Sequence, residues 1–348
     1  MPGDSTLMRR QVSIDRVIES PPGIVPHDPP HTNMVWIPGG TFRMGSDRHY
    51  PEEAPVHRVT VDGFWMDRTP VTNRQFREFV RATNHVTTAE IPPDPANYPG
   101  ALPDVIYPGS LVFTPPRHRV DLRNWSEWWE FIRGADWRHP YGPRTNTNAL
   151  DSYPVVHVTF FDALVYAKWA GKDLPTEAEW EFAARGGLDG AEFAWGDEFT
   201  PHGHHMANTW QGEFPRQNLC DDGFELTSPV MAFPPNGYGL HDMIGNVWEW
   251  TKDWYTARHE ADASKACCIP QNPRGGREQE SYNPRQPAVK IARKVLKGGS
   301  HLCAPNYCRR YRPAARHAQP VDTSTSHVGF RCVVRKAHMG EIAPVQMV

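Results

Sequence analysis

Proline fills 35 of the 348 positions of this chain, about twice the usual share, and it recurs from one end to the other. Its ring fixes φ and removes an amide donor, so it is tolerated in first turns, edge strands and loops but not in helix interiors or central strands. The chain is therefore expected to form short helices and strands joined by long irregular connections. Its length suits one large domain or two small ones. A net charge of −3 provides no basic field to recruit nucleic acid or an anionic membrane. No apolar run reaches 18 residues, and the opening MPGDSTLMRRQVSIDR lacks the apolar centre of a signal peptide. The expectation is a soluble, cytoplasmic protein with neither nucleic acid nor membrane as a partner.

Residues 1–30 close in PPGIVPHDPPH and read as an extended, poorly ordered leader. Strands are expected over Met34 to Ile37 and Thr41 to Met44, joined by Pro38-Gly39-Gly40, and over Val56 to Val61 with Val59 and Val61 on one face. Thr72 and Gln75 have capping-box spacing and open a first helix that buries Phe76, Phe79 and Val80. A second helix is expected from about Phe161 to Ala170, stopped by Gly171. A third starts at another capping box, Thr176 to Glu179, and ends at Gly186-Gly187. Residues 91–150 are rich in Pro and Trp without periodicity and read as a packed insertion. The polar run 256–294 reads as a mobile surface excursion, and GFRCVV at 329–334 as a terminal strand. Together these give an α+β body over 31–338, dominated by loops, with a tail at 339–348.

Six cysteines in a reducing compartment argue against a disulfide framework. Cys332 reads as a buried small hydrophobe and the vicinal Cys267-Cys268 as incidental. Cys303 and Cys308 are the candidates for chemistry. Five positions apart, two side chains point about 140° away from each other on a helix and to opposite faces of a strand, so they meet only if the chain turns between them. Ala304-Pro305-Asn306-Tyr307 supplies a turn, and proline's negative φ rules out the primed hairpin types. A tight turn brings the two residues close enough for a disulfide or a shared metal ion. Three readings stay open: a structural disulfide, a zinc site, and a redox dithiol that binds a soft monovalent metal. Zinc fits least, since His317 and His327 do not follow at finger-like spacing. Arg309, Arg310 and Arg312 favour the thiolates that the third reading needs.

The stretch Gly298-Gly299-Ser300, two residues, Cys303, four residues, Cys308, followed by RYR, AAR and GFRC, resembles the formylglycine-generating enzymes, the sulfatase-modifying oxidases. The resemblance covers roughly residues 31 to 335. It includes MVWIPGGTFRMGS at 34–46, PVTNRQFREFV at 70–80, LPTEAEWEFAARGG at 174–187, ANTWQGEFP at 207–215 and FPPNGYGLHDMIGNVWEWTKDW at 233–254. These upstream blocks are shared by a wider superfamily and argue fold. The cysteine pair argues activity.

The resemblance implies the formylglycine-generating-enzyme fold, distantly like C-type lectins and low in regular secondary structure. It implies an oxidase that uses dioxygen to convert the cysteine of a C-x-P-x-R segment, in an unfolded or extended sulfatase, to Cα-formylglycine. Cys303 and Cys308 would hold Cu(I), with Ser300, Trp248 and Tyr307 lining the site. Two structural calcium sites are implied, one from Asn208, Thr209, Asp222 and Phe224, the other from Asp242, Met243, Gly245 and Val247. The apolar members would offer only carbonyl oxygen. Asp242 stands where relatives often carry Asn. Ala304 stands where several members carry a basic or histidine residue, which bears on substrate contacts. Ordinary turns would also account for Asp222-Gly223 and Gly245-Asn246, and core packing for Trp248. Two other functions compete: a histidine-ligated non-haem iron sulfoxide synthase, kept open by histidines such as His202, His204 and His205, and a non-enzymatic lectin-like binding domain.

Overall fold

The computed structural model describes residues 17–18, 28–100, 102, 104, 106–259 and 269–335. Most of the expected leader, the tail and Cys267-Cys268 lie outside the described residues. Within the leader, Ile18 is buried and its amide donates to the Gly187 carbonyl at 2.9 Å.

Eleven short strands and three short helices appear among these residues. They are β1 (Met34–Ile37), β2 (Gly40–Met44), β3 (His57–Val61), β4 (Phe64–Asp67), α1 (Asn73–Thr83), β5 (Gly109–Phe113), β6 (Trp129–Arg133), α2 (Phe160–Trp169), α3 (Glu177–Arg185), β7 (Trp248–Trp254), β8 (Arg293–Lys297), β9 (Arg316–Pro320), β10 (Val328–Gly329) and β11 (Val333–Arg335). No helix among them is long and apolar enough to cross a membrane. The sheets run β1-β4-β11 and β10-β7-β8-β9, with two-stranded pairs β2-β3 and β5-β6.

The helices start where the capping logic places them. Gln75 accepts from the Thr72 amide at 2.9 Å, Thr159 and Asp162 repeat the arrangement at α2, and Thr176 and Glu179 at α3. Each box satisfies amides that the first turn leaves unpaired. Helices α1 and α3 end on left-handed residues, Asn84 and Gly186. Phe76, Phe79 and Val80 are buried as the spacing predicts.

The strands flanking Pro38-Gly39-Gly40 form as expected, β1 joining β4 and β2 joining β3. Three expectations are corrected. The GFRCVV stretch is not one strand: β10 runs parallel to β7, Phe330–Cys332 carry the chain across, and β11 closes the β1-β4 sheet. The insertion contains a paired β5-β6 ribbon that its aromatic and proline content concealed. The run 256–294 is tied down where described, since Thr60 on the edge of β3 donates to the Pro270 carbonyl at 2.9 Å and accepts from Asn272 at 2.7 Å. An edge strand's unpaired backbone groups recruit this segment.

One apolar core gathers Phe76, Phe79, Tyr166, Trp250, Phe330 and Cys303, and a second gathers Phe42, Val59, Trp180 and Phe182. Buried ion pairs brace the loops between them. Arg331 grips Glu249 with contacts of 2.8–3.0 Å, and Arg316 binds Glu177 through two 2.8 Å bonds. Charges this deeply buried are tolerated because each has a well-oriented opposite partner.

Candidate active site

The loop from Gly298 to Cys308 leaves β8 through two glycines with positive φ. At Gly299 (φ +72°) a side-chain carbon would lie 2.9 Å from the Arg310 carbonyl, so the loop can fold back on itself only without one. The Cys303 amide then donates to Ser300 O at 2.9 Å, and the Tyr307 and Cys308 amides both donate to Ala304 O, at 3.1 and 2.9 Å. Those bonds form the expected turn through Pro305 and Asn306. Its outcome is a sulfur–sulfur distance of 3.3 Å between two free cysteines. This is too long for a disulfide, whose bond is about 2.05 Å, and the pair stands as two thiols in contact.

Cys303 is 2% exposed and faces the core, while Cys308 is half-buried. Burial pushes the Cys303 thiol well above its usual range. The hydrogen bond from Cys303, reinforced by the Arg310 guanidinium, holds Cys308 down to about 6. The more open sulfur is therefore the thiolate, and the buried one donates to it. The Ser300 amide also points at the Cys303 sulfur, at 3.5 Å.

Tyr307 lies within the turn, 39% exposed, with its ring stacked on Phe214 at 4.5 Å and edge-on to Trp128 at 5.5 Å. Burial pushes its phenol up to about 12. Phe113, Trp128, Trp210, Phe214, Leu302 and Ala304 form an aromatic floor beneath the turn. Ala304 is thus a fully buried packing residue in this fold. Trp248 shares the main core with Cys303 and packs its ring on His317 at 5.6 Å.

The basic strip divides. Arg312 and Arg316 are buried in pairs with Glu53 and Glu177, and Arg310 points Nη1 at the Cys308 sulfur at 3.9 Å. Glu177 opens α3, whereas Glu53 and the Glu52 that binds Arg310 come from Tyr50-Pro51-Glu52-Glu53, a turn that sequence reasoning missed. Its signal was present, since YPEE is a compact acidic complement to RRYR.

The two oxygen-rich loops buttress the cysteine loop. Trp210 donates to Cys303 O at 3.0 Å, Gly245 to Gly298 O at 3.0 Å, and His301 to Asn246 O at 2.9 Å. In the first oxygen-rich loop, Asn208 Oδ1 is buried without a hydrogen-bond partner. Gln211 Nε2 lies among Thr209 O, Thr209 Oγ1 and Asp222 Oδ2, so three acceptor oxygens converge on one amide donor. Phe224 is close by, with its amide on Asp222 Oδ1 at 3.0 Å. In the second loop, the buried Asp242 accepts from the Met231 amide at 2.9 Å and, at 3.4 Å, from Asn246. Burial raises its carboxyl group's pKa. Met243, Gly245 and Val247 run beside it, Gly245 with φ +74° and close against Asn208 O. His202 and His204 are exposed at the surface. Among the described residues, no three His, Cys, Asp or Glu side chains are grouped to hold a metal ion.

Residues 23–336 match the model of the sulfatase-modifying factor enzyme 1-like domain. The chain belongs to this family. A formylglycine-generating enzyme of Mycobacterium tuberculosis is 54% identical over 303 residues, which span 87% of this chain and 97% of that relative. An inactive Cα-formylglycine-generating enzyme 2 of Bos taurus is 46% identical over 86% of this chain and 87% of its own. The solved structure of PvdO from Pseudomonas aeruginosa, 23% identical, superposes with a TM-score of 0.55 over 87% of this chain and 94% of its own, which shows the fold. Relatives in this family thus include proteins named formylglycine-generating enzyme and others named as inactive.

Proposed function

We propose that this chain is a copper-dependent oxidase that converts the cysteine of a C-x-P-x-R segment in an unfolded or extended sulfatase to Cα-formylglycine, with dioxygen as oxidant. One observation carries the proposal: two free thiols in contact at 3.3 Å, the outer one half-buried and held as a thiolate. Soft sulfur donors select a soft monovalent ion, and Cys303 and Cys308 are the residues that would hold it. When bound there, Cu(I) would supply the activation of dioxygen.

The protein's own groups prepare this site. Cys308 offers an ionised sulfur, and Cys303 releases its shared proton when a cation replaces it. The Ser300 amide orients the Cys303 sulfur. Tyr307, Phe214 and Trp128 form an apolar wall that keeps water from one side. Trp248 lines the core side. An extended substrate backbone, laid across the turn, would bring its own thiolate to the open side of Cys308, which suits modification before the sulfatase folds. Calcium at the two oxygen-rich loops is part of the proposal, motivated by the orphaned Asn208 Oδ1 and the buried Asp242 carboxylate, both groups that a cation would satisfy.

The test incubates the copper-loaded protein with a C-x-P-x-R peptide in air and follows mass loss and aldehyde reactivity. Wild type should convert the peptide, whereas Cys303→Ser and Cys308→Ser should not. Conversion that survives both substitutions would refute the mechanism.

A further inference from the structure

We infer that Tyr50 and Glu52 are positioning residues for the cysteine pair, holding the Arg310 guanidinium against the Cys308 sulfur. The inference rests on the copper reading above and extends it to residues far away in the sequence. Arg310 is fixed from three directions. Its Nη2 donates to Glu52 Oε1 at 2.6 Å, its guanidinium carbon lies 3.8 Å from the centre of the Tyr50 ring, and its Nη1 is left facing the Cys308 sulfur. Arg310 Nε is buried without an acceptor. Leaving such a donor unpaired is costly, and here the cost falls on a side chain whose remaining fork is aimed at sulfur.

The turn that supplies these groups is itself secured. Tyr50 Oη accepts from the Arg309 amide at 3.0 Å, Glu53 binds Arg312 through two bonds of 2.5 and 2.7 Å, and the Glu52 carbonyl accepts from Arg316 at 3.1 Å. Two thiolates around one monovalent cation carry a net negative charge, and a substrate thiolate adds another. A fixed donor at the outer sulfur stabilises both states without having to reorganise.

Glu52 acts here through orientation rather than charge, and the two roles predict opposite signs. Removing a carboxylate next to Arg310 would, by Coulomb's law alone, strengthen the positive field at Cys308. Releasing the guanidinium from its anchor would weaken it.

The experiment measures Cu(I) affinity of the full chain without oxygen, by competition with a chromophoric Cu(I) chelator. It compares wild type, Glu52→Gln, Tyr50→Leu, Tyr50→Phe and Cys303→Ser. In parallel, alkylation of metal-free Cys308 by iodoacetamide is timed at one fixed pH. Glu52→Gln and Tyr50→Leu are expected to weaken Cu(I) binding roughly 10-fold or more, the range typical of groups that orient metal ligands, and to slow alkylation. Tyr50→Phe keeps the stacked ring but loses the bond from the Arg309 amide, and should fall between wild type and Tyr50→Leu in both. Affinity and alkylation that are unchanged or increased in Glu52→Gln and Tyr50→Leu would overturn the inference. If wild type and Cys303→Ser bind Cu(I) equally, the copper reading fails, and the alkylation rates alone decide whether Tyr50 and Glu52 position Arg310.

Discussion

The amide of Asn246 donates to the carbonyl of Asn208 at 2.8 Å, joining the two oxygen-rich loops directly beneath the cysteine turn. Asn246 also accepts the His301 amide at 2.9 Å, and the Trp210 amide donates to the Cys303 carbonyl at 3.0 Å, so each loop is one hydrogen bond from the cysteine loop.

Calcium is accordingly expected to stabilise the whole protein. At a free concentration of a hundred times the dissociation constant, a bound ligand adds about 2.7 kcal/mol. Thermal unfolding with calcium and with a calcium chelator should differ by several degrees, and Asp242→Ala should shrink that difference. Identical curves for wild type in the two conditions would contradict the calcium reading.

Glu53→Gln should be severe. The Arg312 guanidinium is 1% exposed and Glu53 fully buried, so the substitution strands a buried cation at a cost of about 3–5 kcal/mol. Denaturant unfolding should show this loss. Replacing both partners together by apolar residues should recover much of it, because no lone charge then remains.

The thiol pair should have divided reactivity. With its pKa near 6, Cys308 is ionised at neutral pH, and its alkylation should be fast on a plateau above that value and fall as the pH drops through it. Cys303, pushed up by burial, should stay unmodified until well into the alkaline range. Cys303→Ala removes the thiol that donates to Cys308 and should shift the Cys308 midpoint upward. Mass mapping of alkylated peptides across a pH series checks all three statements.

Gly299→Ala is expected to lower both stability and peptide conversion. The residue has φ +72°, and the added carbon would meet the Arg310 carbonyl at 2.9 Å. A strained backbone position of this kind costs on the order of 1–3 kcal/mol, and relief requires the loop to move away from Arg310. Melting temperature and conversion rate, measured on the same sample, should fall together.

Features governed by neighbouring residues were legible in the sequence. Capping boxes at Thr72 and Thr176, the stop at Gly186 and the turn between the cysteines depend on groups within a few positions of one another. The distant partners were not. YPEE complements RRYR in charge, but 258 residues separate Glu52 from Arg310 and charge alone does not choose among the acidic residues, while the pairing of β1 with β4 is decided by which faces the core needs covered. The β5-β6 ribbon escaped because its aromatic residues serve two neighbours, Trp129 packing on His327 at 4.7 Å as well as across its own pair. That arrangement blurs the alternation by which a strand is recognised. The calcium assignments came from family resemblance, since carbonyl donors leave no mark on side-chain identity.

The placement of β11 constrains how the molecule can be made. Val333–Arg335 complete a sheet begun by residues 34–37 and 64–67, and Glu52 and Glu53 meet Arg310 and Arg312 across some 258 residues of intervening chain. Such distant closures delay folding. During synthesis the early strands must wait, with an unfilled sheet edge and unpaired glutamates, until residues 309–335 have been made. The cysteine turn and its supports therefore cannot ripen progressively during synthesis, and they should come together in one step once residues up to 335 are free to pair.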